Sequence, residues 1–325
     1  MTAELSQVEL ERIFERRIRP GFDAHLSKFS SLNPVLVMVG AQPGAGKSRS
    51  MNRVLTEYPS AIPVIGDVFR RHHPTYNSLM SSPETALQMP QVTAQAAARW
   101  VEMSIDYLRE LGAPVVLETT MRQPDVVAST MRSFREAGYY CEARVLAVPR
   151  EISLLGVVER YANQVLENGA GRWTPVDMHD AAYNNLPQSL DKLVDNGVVD
   201  RIVVTNRGGE VLYDTRLHNS IDMPAIHKAI EQGRDFHSLS PAQHTQWEVG
   251  LSKTQAILVQ TGEKNEDVLK TAKALETNKK QTRTESRAER VARKKLAAEK
   301  LDPERVRQLR ERLYSDEPPT RGLSR

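Results

Sequence analysis

The stretch from Val35 to Ser48 constrains this chain more than any other. An apolar run, Val35-Leu36-Val37-Met38-Val39, enters Gly40-Ala41-Gln42-Pro43-Gly44-Ala45-Gly46 and closes on Lys47-Ser48. An unbroken apolar run bounded by turn residues is the pattern of a strand buried on both faces. The small residues behind it fit a phosphate-binding loop between a strand and a helix. Gly44 and Gly46 let backbone N–H groups converge on one anion, and the positive end of the next helix faces the same point. Lys47 then reaches the β- and γ-phosphates, and the Ser48 hydroxyl is placed to ligate Mg²⁺. The motif asks for Gly where this chain has Ala41, a small change softened by Gly40 just before it. ATP and Mg²⁺ are the ligands this pattern calls for.

The rest of the first two-thirds alternates short apolar strands with amphipathic helices. Strands are expected at Val35 to Val39, Ala61 to Ile65, Val115 to Leu117 and Glu142 to Val148. Helices are expected at Lys47 to Glu57, Gln91 to Leu111, Asp125 to Ala137 and Pro149 to Leu166. Alternation of this kind predicts an α/β fold, a parallel sheet of the phosphate-loop NTPase type with helices on both faces. A strand pair is expected around Gly208-Gly209, from Arg201 to Val204 and Val211 to Tyr213. Leu5, Val8, Leu10, Ile13, Phe14 and Ile18 predict a short N-terminal helix within residues 1–32, ending in a connector through Pro20 and Gly21. The main domain is expected over 33–250. Residues 251–325 are expected to form a charged helical or partly disordered extension, because Leu269, Ala272, Leu275 and the later leucines supply only a thin apolar seam.

In such a sheet, functional groups gather beyond the carboxyl ends of the strands. Asp67 follows the second strand. It is a candidate general base toward the phosphoryl acceptor, and a helix N-cap is the competing reading. Glu118, with Thr119 and Thr120, ends the third strand. Glu118 could hold Mg²⁺ through water or grip an acceptor hydroxyl, and Thr120 could hydrogen-bond the acceptor. Arg160 and Arg172 flank a Gly169-Ala170-Gly171 segment flexible enough to close as a lid, and phosphoryl transfer needs such cations. Taken singly, each arginine also suits a surface ion pair. Arg70 and Arg71 could touch an acidic acceptor. His72-His73 and His179-Asp180 lack metal-ligand spacing and read as structural or hydrogen-bonding pairs.

Together these pieces resemble the zeta toxin family of bacterial kinases. The matching segments begin with Gly40 to Ser48, Gly66-Asp67-Val68-Phe69-Arg70-Arg71-His72-His73-Pro74-Thr75-Tyr76 and Leu117-Glu118-Thr119-Thr120-Met121-Arg122. Glu159-Arg160-Tyr161, Gly171-Arg172-Trp173 and His179-Asp180 complete the set. The Gly-Asp-x-Phe-Arg-x-x-His-Pro block is the most specific of them. The resemblance spans about residues 20 to 215 and implies ATP-dependent phosphorylation of the 3′-hydroxyl of the amino sugar in UDP-N-acetylglucosamine, which blocks peptidoglycan synthesis. It implies Lys47 and Ser48 for ATP and Mg²⁺, Asp67 as base, Glu118 and Thr120 at the sugar nucleotide, and Arg160 and Arg172 at the transferred group. It also offers Glu102 as a further acceptor contact. A cognate antitoxin is the expected protein partner. About thirty residues precede the first strand, too few for a fused three-helix antitoxin. Other acceptors remain open: another nucleotide sugar, NAD or a small antibiotic. A non-catalytic ATP-binding module whose tail holds a partner or nucleic acid is the reading from a different class.

Charge and cysteine content narrow the setting. From Glu263 to Arg325 there are eighteen Lys/Arg against twelve Asp/Glu, whereas the whole chain carries only +3. Mixed signs favour a solvated helix over a nucleic-acid surface. A single cysteine, Cys141, excludes an internal disulfide and suits a reducing compartment. No membrane span or signal peptide is read from the sequence, so a cytoplasmic location is expected.

Overall fold

The computed structural model describes residues 4–26, 34–218 and 220–277. The N-terminal helix α1 begins at Gln7–Ile13, where Ser6 and Glu9 form a reciprocal capping box. It does not stop at Pro20 and Gly21 as expected. It passes through a π-helical stretch, Phe14–Ile18, and continues over Arg19–Leu26. Proline lacks an N–H and crowds the preceding turn; the wider π turn just ahead of it absorbs both faults. One stripe, Leu10, Ile13, Phe14, Ile18 and Phe22, is buried in the main core.

Six strands form one sheet in the order β2-β3-β1-β4-β5-β6. They are β1 Val35–Gly40, β2 Ile62–Val64, β3 Val115–Thr119, β4 Tyr140–Leu146, β5 Arg201–Thr205 and β6 Val211–Asp214. The first five run parallel, and β6 returns antiparallel to β5. β1 lies between β3 and β4 and is buried along its whole length, which is why its sequence shows no alternation. Helix α2, Lys47–Glu57, follows β1 directly. The short α3, Gly66–Phe69, follows β2, and α4, Ala94–Glu110, leads into β3. Next come α5, Pro124–Glu136; α6, Arg150–Asn168; and α7, Val176–Asp195. Pro187 lies inside α7 and frees the Tyr183 carbonyl one turn back; Arg234 Nη2 donates to that oxygen at 2.7 Å.

The chain ends its described part in α8, Met223–Arg234, α9, Pro241–Gln260, and α10, residues 266–277. The expected division at residue 250 falls inside α9, and the compact unit runs on to Leu275. Trp247, Leu251, Ile257 and Leu258 of α9, with Val268, Ala272 and Leu275 of α10, share one buried cluster with Leu154, Val158 and Tyr161 of α6. The expected extension is therefore core up to residue 275, because Leu251, Ile257, Leu258, Val268, Ala272 and Leu275 join that cluster, while Val259 and Leu269 stay exposed. The remainder, 278–325, lies outside the described residues. Cys141 is fully buried, and burial with the nearby Asp200 pushes its thiol up to about 12, so it behaves as a small core residue. Among the described residues no helix is long and apolar enough to cross a membrane.

Candidate active site

The phosphate loop lies between β1 and α2, at the carboxyl edge of the sheet. Gly44 and Gly46 both have positive φ, +76° and +101°. A Cβ on Gly44 would sit 2.0 Å from the Ser153 carbonyl oxygen, so the loop backbone lies directly against the start of α6. Gly44→Ala is expected to cost at least about 1–2 kcal/mol from the left-handed backbone alone, read as a lower midpoint in thermal unfolding. Gly40 faces a different constraint: a Cβ there would meet the Met121 sulfur at 2.4 Å. Ala41 and Ala45 are fully buried. Pro43 is half-buried on the rim, and Ser48 is exposed at the start of α2.

Lys47 folds back onto its own loop, donating to Ala41 O at 3.0 Å and Gln42 O at 3.3 Å. Glu118 Oε1 is 3.9 Å from its ammonium. Burial pulls the Lys47 pKa below its ordinary value, against the pull of Glu118 and Asp67. Burial likewise raises Glu118, against Lys47. A charge held under these conditions is worth more to an incoming phosphate than one in water.

Asp67 sits in the first turn of α3, with its side chain 44% exposed. Arg172 Nη1 lies 2.6 Å from Oδ1, and Arg70 Nε donates to the same oxygen at 3.1 Å. Burial would raise this carboxyl, but the two guanidiniums outweigh it and hold it well below the usual carboxylate range. Arg70 is anchored elsewhere too, donating to Pro90 O and Thr93 Oγ1, both at 2.7 Å. It acts as a buttress for Asp67. Arg160 donates to Thr174 Oγ1 at 2.8 Å, and its Nε has no partner among the described residues. Burial and the neighbouring Arg172 push its guanidinium down to about 10. Arg160 feels Arg172 as well as the carboxylates Asp67 and Glu118, so cations crowd this side of the site.

The fold thus brings Lys47, Asp67, Glu118, Arg160 and Arg172 within electrostatic reach of one another. Beside them a cleft of about 230 Å³ opens between Asp67, Arg70, Tyr76, Met80, Gln164 and Arg172. Thr120 is half-buried in the turn after β3, next to Met121, which takes a left-handed backbone at φ 50°. Glu102 lies on the exposed face of α4, paired with Arg99. The segment before Arg172 is not a loose lid. Ala170 is buried, Gly171 rests against the Tyr161 carbonyl, and Arg172 N–H donates to Gln164 Oε1 at 2.9 Å. His73 Nδ1 caps Thr75, and His179 is wholly buried.

Sequence reasoning gave Tyr76 no role and missed Met80 and Gln164, whose side chains signal nothing until the cleft brings them together. It also missed Arg207. This residue sits in the β5–β6 turn and donates to Gly44 O and Ile152 O, both at 3.2 Å, so it clamps the outside of the phosphate loop. A larger depression, about 680 Å³, opens at the amino ends of β1, β3 and β4. Its arginines, Arg135 and Arg216, are already paired with Asp200 and Glu142, and it lies on the opposite edge of the sheet from the loop.

The zeta toxin family model matches residues 23–218. The chain belongs to the zeta toxin family. The match takes in the phosphate loop, Asp67, Glu118, Arg160 and Arg172, and stops before α8, α9 and α10. Toxin zeta of Enterococcus hirae is 30% identical over 217 residues, 66% of this chain and 73% of that one. Toxin PezT of Streptococcus pneumoniae is 30% identical over 191 residues, 58% of this chain and 75% of that one. A solved chain of the PezAT toxin–antitoxin system from Streptococcus pneumoniae superposes with a TM-score of 0.66 at 24% identity, covering 79% of this chain and 100% of its own. AvrRxo1-ORF1:-ORF2, solved with ATP, gives 0.52 at 15% identity, covering 85% and 95%. Both share the fold, a phosphate-loop sheet of kinase type, and this zeta toxin family member has the same architecture.

Proposed function

We propose that the protein is an ATP-dependent kinase that phosphorylates a hydroxyl of a nucleotide sugar, with the 3′-hydroxyl of the amino sugar of UDP-N-acetylglucosamine as the acceptor. The observation that carries this reading is the Arg172–Asp67 pair beside the acceptor cleft, within electrostatic reach of the Lys47 cradle. A nucleotide sensor would need the cradle, but it would need no carboxylate on the acceptor side.

The loop fits a triphosphate. Gly44 and Gly46 hold the left-handed backbone that turns N–H groups inward, and Lys47 is bound to loop carbonyls it can leave. Among the described residues no group of three His, Cys, Asp or Glu side chains could hold a metal by itself. That suits a Mg²⁺ carried on the phosphates, with Ser48 and Glu118 as its protein contacts. When bound, the ion neutralises charge on the β- and γ-phosphates.

The roles of the side chains follow from their charges. Lys47 turns from its loop carbonyls to the phosphates. Arg160 and Arg172 meet the charge that spreads over the transferring group. As Arg172 turns toward that group, Asp67 loses the partner that most suppresses its basicity. It becomes able to accept the proton of the attacking hydroxyl at the moment the donor is in place. The resting ion pair thereby guards against futile hydrolysis. Tyr76 and Met80 offer an aromatic and an apolar face for the acceptor, with Glu118 and Thr120 toward its hydroxyls. Such a product would block peptidoglycan synthesis from a cytoplasmic location, and a cognate antitoxin is the partner such a toxin requires.

The test is direct. With ATP, Mg²⁺ and UDP-N-acetylglucosamine, mass spectrometry is expected to find ADP and a nucleotide sugar heavier by one phosphate. Lys47→Ala is expected to abolish both. ADP release that does not depend on the nucleotide sugar would refute the acceptor assignment.

A further inference from the structure

A run of hydrogen bonds that phosphoryl transfer does not use ties the phosphate loop to α7. Gln42 is fully buried in the loop, and its Nε2 donates to Val148 O at 3.0 Å and Ser153 Oγ at 3.1 Å. Ser153 Oγ lies 2.9 Å from His179 Nε2. His179 Nδ1 lies 2.9 Å from Asp180 Oδ1. Asp180 accepts both Arg150 Nε at 2.8 Å and Arg150 Nη2 at 2.7 Å.

The partners fix where each proton sits. A guanidinium only donates and a carboxylate only accepts, so His179 carries its proton on Nδ1 and Nε2 is an acceptor. The Ser153 hydroxyl points its hydrogen at Nε2 and keeps a lone pair for Gln42. Its other acceptors, Arg150 O at 3.1 Å and Pro149 O at 3.2 Å, are farther away. The far end of the run is Lys47: the Gln42 carbonyl accepts both Ala45 N–H and the Lys47 ammonium, each at 3.3 Å. Fixing the Gln42 side chain therefore fixes the carbonyl that sets the resting place of Lys47.

We propose that the Gln42–Ser153–His179–Asp180–Arg150 chain is a positioning device that holds the phosphate loop in its nucleotide-binding shape, with neutral His179 as the central acceptor. The proposal rests on the nucleotide site argued above, but on no particular acceptor. None of the five side chains needs to touch the reacting atoms. They act through the loop and raise affinity by preorganising it. The groups facing His179 are Asp180, Arg150 and Lys47, with the Tyr183 ring stacked at 6.4 Å. Burial first, then Arg150 and Lys47, pull its pKa below the ordinary value against Asp180. Below that pKa, imidazolium Nε2 becomes a donor, and Ser153 loses its acceptor. The native state resists this proton more than the unfolded chain does, so stability falls as pH drops below about 6.5, and loop order follows only once pH passes the lower pKa of native His179.

Titration calorimetry of the full chain with Mg²⁺–ADP tests the device without any acceptor. Ser153→Ala and His179→Ala are expected to weaken ADP binding about tenfold at pH 7.5, the scale of one buried hydrogen bond. His179→Gln keeps an acceptor facing Ser153 and cannot titrate, so it is expected to stay within about twofold of the parent. As pH is lowered from 7.5 through the point at which native His179 takes up its proton, followed by the imidazole's own NMR titration, the parent is expected to lose affinity relative to His179→Gln, a comparison that cancels the nucleotide's own titration. Undiminished binding by a folded Ser153→Ala protein overturns the device, as do parallel pH profiles of the parent and His179→Gln. The pH comparison decides alone if the alanine variants do not fold. Failure of the parent to bind ADP at all would instead refute the nucleotide site.

Discussion

Asp67→Asn is expected to lower the rate of phosphoryl transfer about 10²–10⁴-fold, the usual contribution of a positioned general base. Nucleotide binding should survive, because the cradle around Lys47 makes no hydrogen bond to Asp67. Single-turnover transfer measured beside ADP calorimetry separates the two effects. The substitution preserves volume but leaves Arg172 and Arg70 facing an amide. Its stability consequence has a definite sign. The native carboxyl is held below its unfolded value by these two guanidiniums. The stabilisation it gives is thus present above the unfolded pKa, about 3.9, and is lost as pH falls through the folded one. Thermal unfolding should show the parent's advantage over Asp67→Asn at neutral pH and its erosion in acid. An Asn variant that turned over like the parent would remove the base from the mechanism and leave Asp67 as a tether for Arg172.

The second large effect concerns the segment beyond the family match. A chain ending at residue 240 would lose Trp247, Leu251, Ile257, Leu258, Val268 and Leu275 from a shared core. Each such side chain contributes roughly 1.5–3 kcal/mol when buried, and a whole domain is stable by only about 5–15 kcal/mol. The sum of these losses is comparable to the whole, so loss of a cooperative melt is the expected result. A chain ending at 277 retains all of those side chains and is expected to melt as the parent does. The position of α9 explains why the damage would reach the site. Gly250 approaches α6 so closely that a Cβ there would lie 2.9 Å from Glu159, the residue before Arg160. Trp247 Nε1 donates to Glu151 O at 3.3 Å, near the start of the same helix. These helices brace the element that carries one catalytic candidate and packs against Trp173, next to another. Removing residues 255–325 would likewise cut into this core.

The sequence alone was enough for the central architecture. A buried strand, a Gly-rich loop and a helix start can be read at Val35 to Glu57 because each depends on short-range chemistry: apolar continuity, backbone freedom at Gly44 and Gly46, and a charge at a helix end. Asp67 and Glu118 were readable for a related reason, since strand ends in a parallel sheet converge on one edge whatever the loops do. Three features had no local signature. The helix through Pro20 survives because a π turn precedes it and a hydrophobic stripe docks onto the core. Within residues 255–275, Ile257, Leu258, Val268, Ala272 and Leu275 become core because they share a cluster with α6, a partner far away in sequence. Finally, the Arg172–Asp67 pair, the clamp by Arg207 and the chain from Gln42 to Arg150 each join residues dozens to more than a hundred positions apart. Their energies depend on distance and desolvation, which exist only once the chain has folded.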